Sequence, residues 1–203
     1  THSIGMNIAR ALSQRERAGT RAAPRPSTEP TLSRDPVAKA FGNGEYNYHL
    51  GTWYEFGVNV EKDQERALTW YTEAAERGVM EAQLRLGSMF MRVLGDPCRA
   101  AFWWEKAALQ GNPRAQNNIA CCYARGVGVK ADISAAIRWY GFAAKSGLLS
   151  AQENLALLLE VRGMVKQALA WYTRAARAGS HMAQYAVTVL TDALTDAEDT
   201  DDD

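Results

Sequence analysis

The 203 residues are 47% hydrophobic and 23% charged, and 23 Lys+Arg balance 23 Asp+Glu. This is the composition of a folded globular chain, and zero net charge argues against a nucleic-acid binder or a binder of acidic substrates. No apolar run approaches the roughly 18 residues of a transmembrane helix. The three cysteines, Cys98, Cys121 and Cys122, form no CxxC pair, which suits a reducing, cytoplasmic compartment better than a disulfide framework. The chain starts with Thr1, so a processed periplasmic or secreted form stays open.

In chain order, residues 1–36 read as a basic arm, with six Arg against three acids. Ile4, Ile8, Ala11 and Leu12 fall on one face of a short amphipathic helix, a route to docking on a solenoid or to self-association. Four of the six Pro lie in residues 19–36, a linker composition. Residues 37–195 carry a repeat. The phrase W-Y-x-x-A-A-x-x-G-x-x-x-A-Q begins at Trp70 and returns, with variation, at Trp103, Trp139 and Trp171, stepping by 33, 36 and 32 residues. Such a period marks stacked helical hairpins, none of which buries its apolar face alone. Residues 196–203 hold six acids and no base, and read as a disordered, solvated tail.

Each unit reads as two helices, A and B. In helix B, Ala67, Trp70, Tyr71, Ala74 and Ala75 share one face, and Gly78 follows where a helix C-terminus favours positive φ. Gly111, Gly147 and Gly179 fill the same slot. In helix A, Ala82, Leu86 and Phe90, then Ala115, Ile119 and Tyr123, repeat the pattern. The Ala positions allow close helix approach and the large rings fill the space beside them. On this reading Trp70, Trp103, Trp139 and Trp171 are core, Trp104 takes the slot held elsewhere by Tyr, and Trp53, outside the pattern, is freer to anchor a partner. The A-to-B loop from Tyr54 to Asp63 aligns without gaps on that from Tyr123 to Asp132, while two other loops are three and four residues shorter. A last A-type helix, from about Met182 to Leu194, lacks a B partner and reads as a C-terminal cap.

Leu50-Gly51, Leu86-Gly87, Trp70-Tyr71, Trp139-Tyr140 and the Gly126-Val127-Gly128-Val129 loop spell A-x-x-x-L-G-x-x-Y-x-x-G-x-G-V-x-x-D-x-x-x-A-x-x-W-Y-x-x-A-A-x-x-G. This pattern resembles the Sel-one-like repeat, a tetratricopeptide-like family, over about residues 45–195. The resemblance implies an all-α fold, a right-handed α-solenoid of about four helix-turn-helix repeats plus the capping helix, with the A helices lining a concave groove. It also implies adaptor roles in signalling, quality control and host–microbe contact, or bacterial immunity. The cysteine-rich branch, with a disulfide in each repeat, is not matched.

No catalytic set stands out. His2, His49 and His181 have no Ser, Cys or acid at a triad or metal spacing. Cys121, one turn before Arg125, is the only thiol with a hint of activation. Gly126-x-Gly128-x-Lys130 lacks the strand and the Ser/Thr of a phosphate loop. Gly179-Ser180-His181-Met182 mimics a tag scar, but it occupies repeat slots. Taking Leu50, Leu86, Ile119, Leu155 and Val187 as equivalent, the groove positions hold Tyr48, Thr52 and Glu55; Leu84, Ser88 and Arg92; Asn117, Cys121 and Arg125; Glu153, Leu157 and Glu160; and Tyr185. With Trp53 they suit a peptide bearing acidic and apolar side chains. The expectation is a non-enzymatic adaptor without metal, cofactor or nucleic acid, Arg92 and Arg125 pairing acids and Tyr48, Trp53 and Tyr185 anchoring apolar groups. The alternative is a bacterial immunity or inhibitor protein, its acidic tail, Glu153 and Glu160 mimicking a charged substrate.

Overall fold

The computed structural model describes the backbone of residues 36–200 and the side chains of residues 43–195. Residues 1–35 of the arm expected over residues 1–36 lie outside the described residues, as do residues 201–203. The described residues form nine α-helices and no strand. These are α1 (Pro36–Phe56), α2 (Gln64–Glu76), α3 (Met80–Met89), α4 (Pro97–Leu109) and α5 (Pro113–Arg125), then α6 (Ile133–Lys145), α7 (Leu149–Val161), α8 (Val165–Arg177) and α9 (His181–Thr200). A π-helical turn over Phe90–Leu94 prolongs α3. The chain divides into two compact units between Gln110 and Gly111, one holding α1–α4 and the other α5–α9. Within each, successive helices pack on one another in chain order. This is the all-α helical-hairpin solenoid that the period implied.

The expected seam needs one correction. The deepest ring of each B helix is the second of the pair: Tyr71, Trp104, Tyr140 and Tyr172 are all buried. Of the lead rings only Trp70 is buried, while Trp103, Trp139 and Trp171 are half-buried. The reason is helical geometry, since adjacent residues point about 100° apart and only one of two neighbouring rings can face helix A squarely. What makes room for the second ring is the small residue after each Leu or Ile of helix A. A Cβ on Gly51 would sit 2.6 Å from the Tyr71 ring, and one on Gly87 2.6 Å from Trp104. Ala120 and Ala156, fully buried, hold the same slot in the second unit.

Polar residues close the helix ends. Asp63, Asp96, Asn112 and Asp132 accept backbone N–H groups at the starts of α2, α4, α5 and α6, each such cap being worth about 1 kcal/mol. Gly78, Gly147 and Gly179 follow helix C-termini with φ of 87°, 86° and 97°, as the sequence predicted. The repeated Gln has a use too: Gln83 Nε2 donates to Ala75 O at 3.1 Å, and Gln152 Nε2 to Ala144 O at 3.2 Å. Each amide adds a side-chain donor to a carbonyl at the end of the preceding B helix, to which Gly78 N and Gly147 N also donate. The two gap-free loops adopt one conformation. Asp63 N donates to Tyr54 O and Asp132 N to Tyr123 O, both at 2.9 Å. Among the pattern positions the loops differ only in Asn59 for Gly128, where φ is +60° and +74°, and Asn tolerates that region better than other side chains.

The last helix departs from the expectation at its end. It runs to Thr200, five residues into the stretch expected as a disordered tail, and no Pro or Gly interrupts it there. Thr188 stands in the slot held by Gly or Ala in the other A helices. It is exposed, its hydroxyl donating to Gln184 O at 3.3 Å. The slot that elsewhere admits a B-helix ring is thus closed, as suits a cap.

Candidate functional site

The A helices carry the expected site residues. In the first unit, α1 brings Tyr48, Thr52, Trp53 and Glu55 to half-buried positions. Two of them, Tyr48 and Glu55, are tied to other helices. Tyr71 donates to Glu55 Oε2 at 2.6 Å, Arg85 lies 3.9 Å from Glu55 Oε1, and the Tyr48 ring packs 5.8 Å from that of Tyr71. Burial, then the hydrogen bond and charge of Glu55, push the Tyr71 phenol far above its ordinary range, so it stays a donor. Burial draws the Arg85 guanidinium down, but Glu55 and Tyr71 outweigh it and hold its pKa above normal. Thr52 donates to His49 O at 2.7 Å and Ser88 to Leu84 O at 3.0 Å, so both hydroxyls serve their own helix. Leu84, expected in the groove, is buried; its carbonyl also accepts Trp104 Nε1 at 3.3 Å. Arg92 lies exposed in the π-helical turn.

In the second unit, Asn117 Oδ1 on α5 accepts from Asn154 Nδ2 on α7 at 3.0 Å. Glu153 on α7 accepts the Ser180 hydroxyl at 2.5 Å, and Ser180 Oγ in turn caps α9 through Ala183 N. Glu160 accepts the Tyr172 hydroxyl at 2.7 Å, repeating the Tyr71–Glu55 pair. Burial, then Glu160, raise the Tyr172 phenol well above its usual range. Cys121 is half-buried beside the Tyr140 hydroxyl, whose pKa is raised by burial and then by Cys121. Cys122 is buried and its thiol pushed up to about 11, chiefly by burial. Among the described residues no group of three or more His, Cys, Asp or Glu is placed to hold a metal ion.

Five expected groove residues, Tyr48, Glu55, Asn117, Glu153 and Glu160, therefore tie the array together. Those presenting open surface are Leu157 at 53% and Tyr185 at 72% exposure, with Arg92 and Arg125, both exposed. Sequence reasoning missed Val161 on α7, 75% exposed, and Val189 on α9, 45% exposed. Both obey the register used for the others, six after Leu155 and two after Val187. Counting apolar residues at those offsets would have found them.

The Sel1 repeat matches this chain four times, at residues 44–79, 81–112, 113–148 and 149–180. The chain belongs to the Sel1 repeat family. Chitin synthase regulatory factor 3 of Schizosaccharomyces pombe is 31% identical over 73% of the chain and 16% of its own length. DAP3-binding cell death enhancer 1 of Rattus norvegicus is 30% identical over 52% of the chain and 21% of its own length. The chain thus spans between a sixth and about a fifth of these curated relatives. Among solved structures, a protective antigen of uropathogenic Escherichia coli strains with an SLR fold is 31% identical, with TM-score 0.67 over 76% of this chain and 35% of that one. A Sel1 repeat protein from Oxalobacter formigenes, 24% identical, shares the fold with TM-score 0.71 over 92% of this chain and 74% of that one. No helix among the described residues is long and apolar enough to cross a membrane. The A helices α1, α3, α5 and α7 fall largely within the four Sel1 matches, repeats of the interaction type, while α9 follows the last of them.

Proposed function

We propose that the chain is a non-enzymatic adaptor that holds a segment of a partner protein on the A-helix face of its Sel1 repeats. The observation that carries the reading is the apolar patch of the second unit, where Leu157 and Val161 on α7 and Tyr185 and Val189 on α9 stay exposed. The Ser180–Glu153 bond pins the start of α9 to α7, which makes these two helices neighbours. Arg125 on α5 supplies a cation in the same unit, and Arg92 and Trp53 offer a cation and a ring in the first. An anchor ring and aliphatic side chains beside a guanidinium suit a segment of alternating apolar and acidic residues. That one relative is named for binding another protein agrees with a protein partner. Cys122 is not set up as a nucleophile, since burial keeps its thiol neutral.

The inhibitor reading draws no support from Glu153 and Glu160, because both carboxylates already accept protein hydroxyls. The adaptor reading is tested by affinity capture from the native host with the full chain and a Leu157→Asp, Tyr185→Ala variant. The expected result is loss of the proteins retained by the wild type, with the helical circular-dichroism signal unchanged. Retention of the same set by a folded variant rejects this face, and an Arg92→Glu, Arg125→Glu variant tests the cation contribution in the same way.

A further inference from the structure

The B helices of the second unit present a different surface. Residues 111–195 hold nine basic and four acidic residues, and all nine bases are exposed. None of the four acids there forms an ion pair among the described residues; the ion pairs seen, such as Arg77–Glu73 and Arg85–Glu55, lie in the first unit. Three of the four are otherwise used: Asp132 caps α6, and Glu153 and Glu160 accept hydroxyls. Five of the cations lie on α6 and α8, which carry no acid at all. Both helices pack on α7 and share one core cluster, so they stand in the same layer. Their registers run 32 residues apart, Tyr140 matching Tyr172, which brings Lys145 level with Arg177 and Phe142 level with Arg174.

Arg138 and Lys145 on α6, and Lys166, Arg174 and Arg177 on α8, fall at spacings of seven, and of eight and eleven, residues, one outward stripe per helix. Aromatic rings lie among them. Arg174 sits 4.5 Å over the Trp171 ring, and Phe142, 52% exposed, meets Trp139 edge-on at 5.8 Å. Unpaired cations in register on two helices, with apolar rings between, complement carboxylates that alternate with apolar side chains.

We propose that the outer face of α6 and α8 docks an acidic segment of a partner protein, its carboxylates meeting the Arg and Lys stripes and its apolar side chains meeting Phe142. This surface is separate from the A-helix face and does not rest on that reading. A protein segment fits better than single-stranded nucleic acid, since base stacking needs an open ring face, whereas Arg174 covers Trp171 and Phe142 abuts Trp139. It fits better than a lipid surface, because the apolar faces of both helices are buried in the core and Phe142 is a single exposed large apolar side chain on them, not an insertable face.

The test uses the full chain and a fluorescein-labelled oligoglutamate peptide interrupted by Phe, read by anisotropy. The wild type is expected to bind it, more weakly as salt rises. Arg138→Glu, Lys145→Glu, Arg174→Glu and Arg177→Glu together are expected to weaken binding at least tenfold. Reversal of three other exposed cations of the same unit, Arg114, Lys130 and Arg162, is expected to leave most of the affinity. Because Arg174 also packs on Trp171, a milder Arg138→Gln, Arg177→Gln variant gives a second reading, with a several-fold loss expected in a chain of unchanged circular dichroism. Equal losses in the four-fold and the three-fold reversal, or no peptide binding, would overturn the proposal. So would tighter binding of oligothymidylate, or of phosphatidylserine-containing vesicles, than of the peptide. Sedimentation as dimers that vanishes on removal of residues 196–203 would name the acidic tail of a second copy as occupant, and also overturn a foreign partner.

Discussion

The two units follow the same repeat pattern and meet water differently. Between residues 43 and 110 there are ten acids and seven bases, and Asp63–Arg66, Glu73–Arg77, Glu55–Arg85 and Asp96–Arg99 are paired. Between residues 111 and 195 four acids face nine bases, and the helices are linked by hydrogen bonds such as Asn154–Asn117 and Tyr172–Glu160. The shared part is the seam of Ala, small helix-A residues and one deep ring. The lesson is that the seam specifies the hairpins, while the outward positions, nearly free of packing demands, can diverge to serve a surface. Exposed ion pairs contribute little to stability, typically under about 1 kcal/mol, so a unit can lose them and keep its fold.

The largest expected effect breaks the equivalence of the two rings in a pair. Tyr172→Ala removes a fully enclosed ring and should cost about 3–5 kcal/mol, whereas Trp171→Ala, next to it but half in water, should cost clearly less. Urea unfolding of both variants checks this, and equal losses would restore the lead Trp as the core ring. A smaller effect compares the small-residue slot across units. Gly87→Ala places a methyl 2.6 Å from Trp104 and should destabilise by about 1–3 kcal/mol, although Ala is the better helix former. Ala120→Gly, at the equivalent slot beside Tyr140, should cost only about 1 kcal/mol. Stabilisation by Gly87→Ala would show that the ring retreats easily and that the slot does not govern packing.

The smallest effect concerns the caps. Burial opposes ionisation of Asp96, but the Arg99 amide and guanidinium outweigh it and hold the carboxyl below its ordinary value. The folded state therefore releases this proton more readily than the unfolded chain. The stabilisation is full above the unfolded carboxylate pKa near 3.8 and is lost as pH falls through the lower folded value. Asp96→Asn should flatten that acid limb slightly in thermal melts, while Asn112, the neutral cap of α5, contributes no such slope. An unchanged limb in the Asn variant would assign the acid sensitivity to other carboxylates.

Much of this was legible in the residues. The 32- to 36-residue steps announce hairpins because no single hairpin can bury its own apolar face. The φ of Gly78, the Asp132 cap and the matching loops at Asn59 and Gly128 follow from local rules of dihedral space and capping, which act within a few residues. The candidate site was less legible. Glu55, Glu153 and Glu160 occupy open-looking slots in the register, yet each accepts a hydroxyl from another element, and only side chains brought together from 12 to 27 positions apart show it.

By itself, then, the sequence determined the fold class, the repeat register and most helix ends, because these depend on periodicity and on contacts close along the chain. Tertiary structure alone decided which ring of each aromatic pair is core, which polar groups are consumed as internal ties, and which apolar residues and cations remain in water. The physical reason is that burial and hydrogen-bond satisfaction belong to pairs of elements: Tyr71 is deep because Gly51 leaves it room, and Leu157 is open because no neighbour covers it.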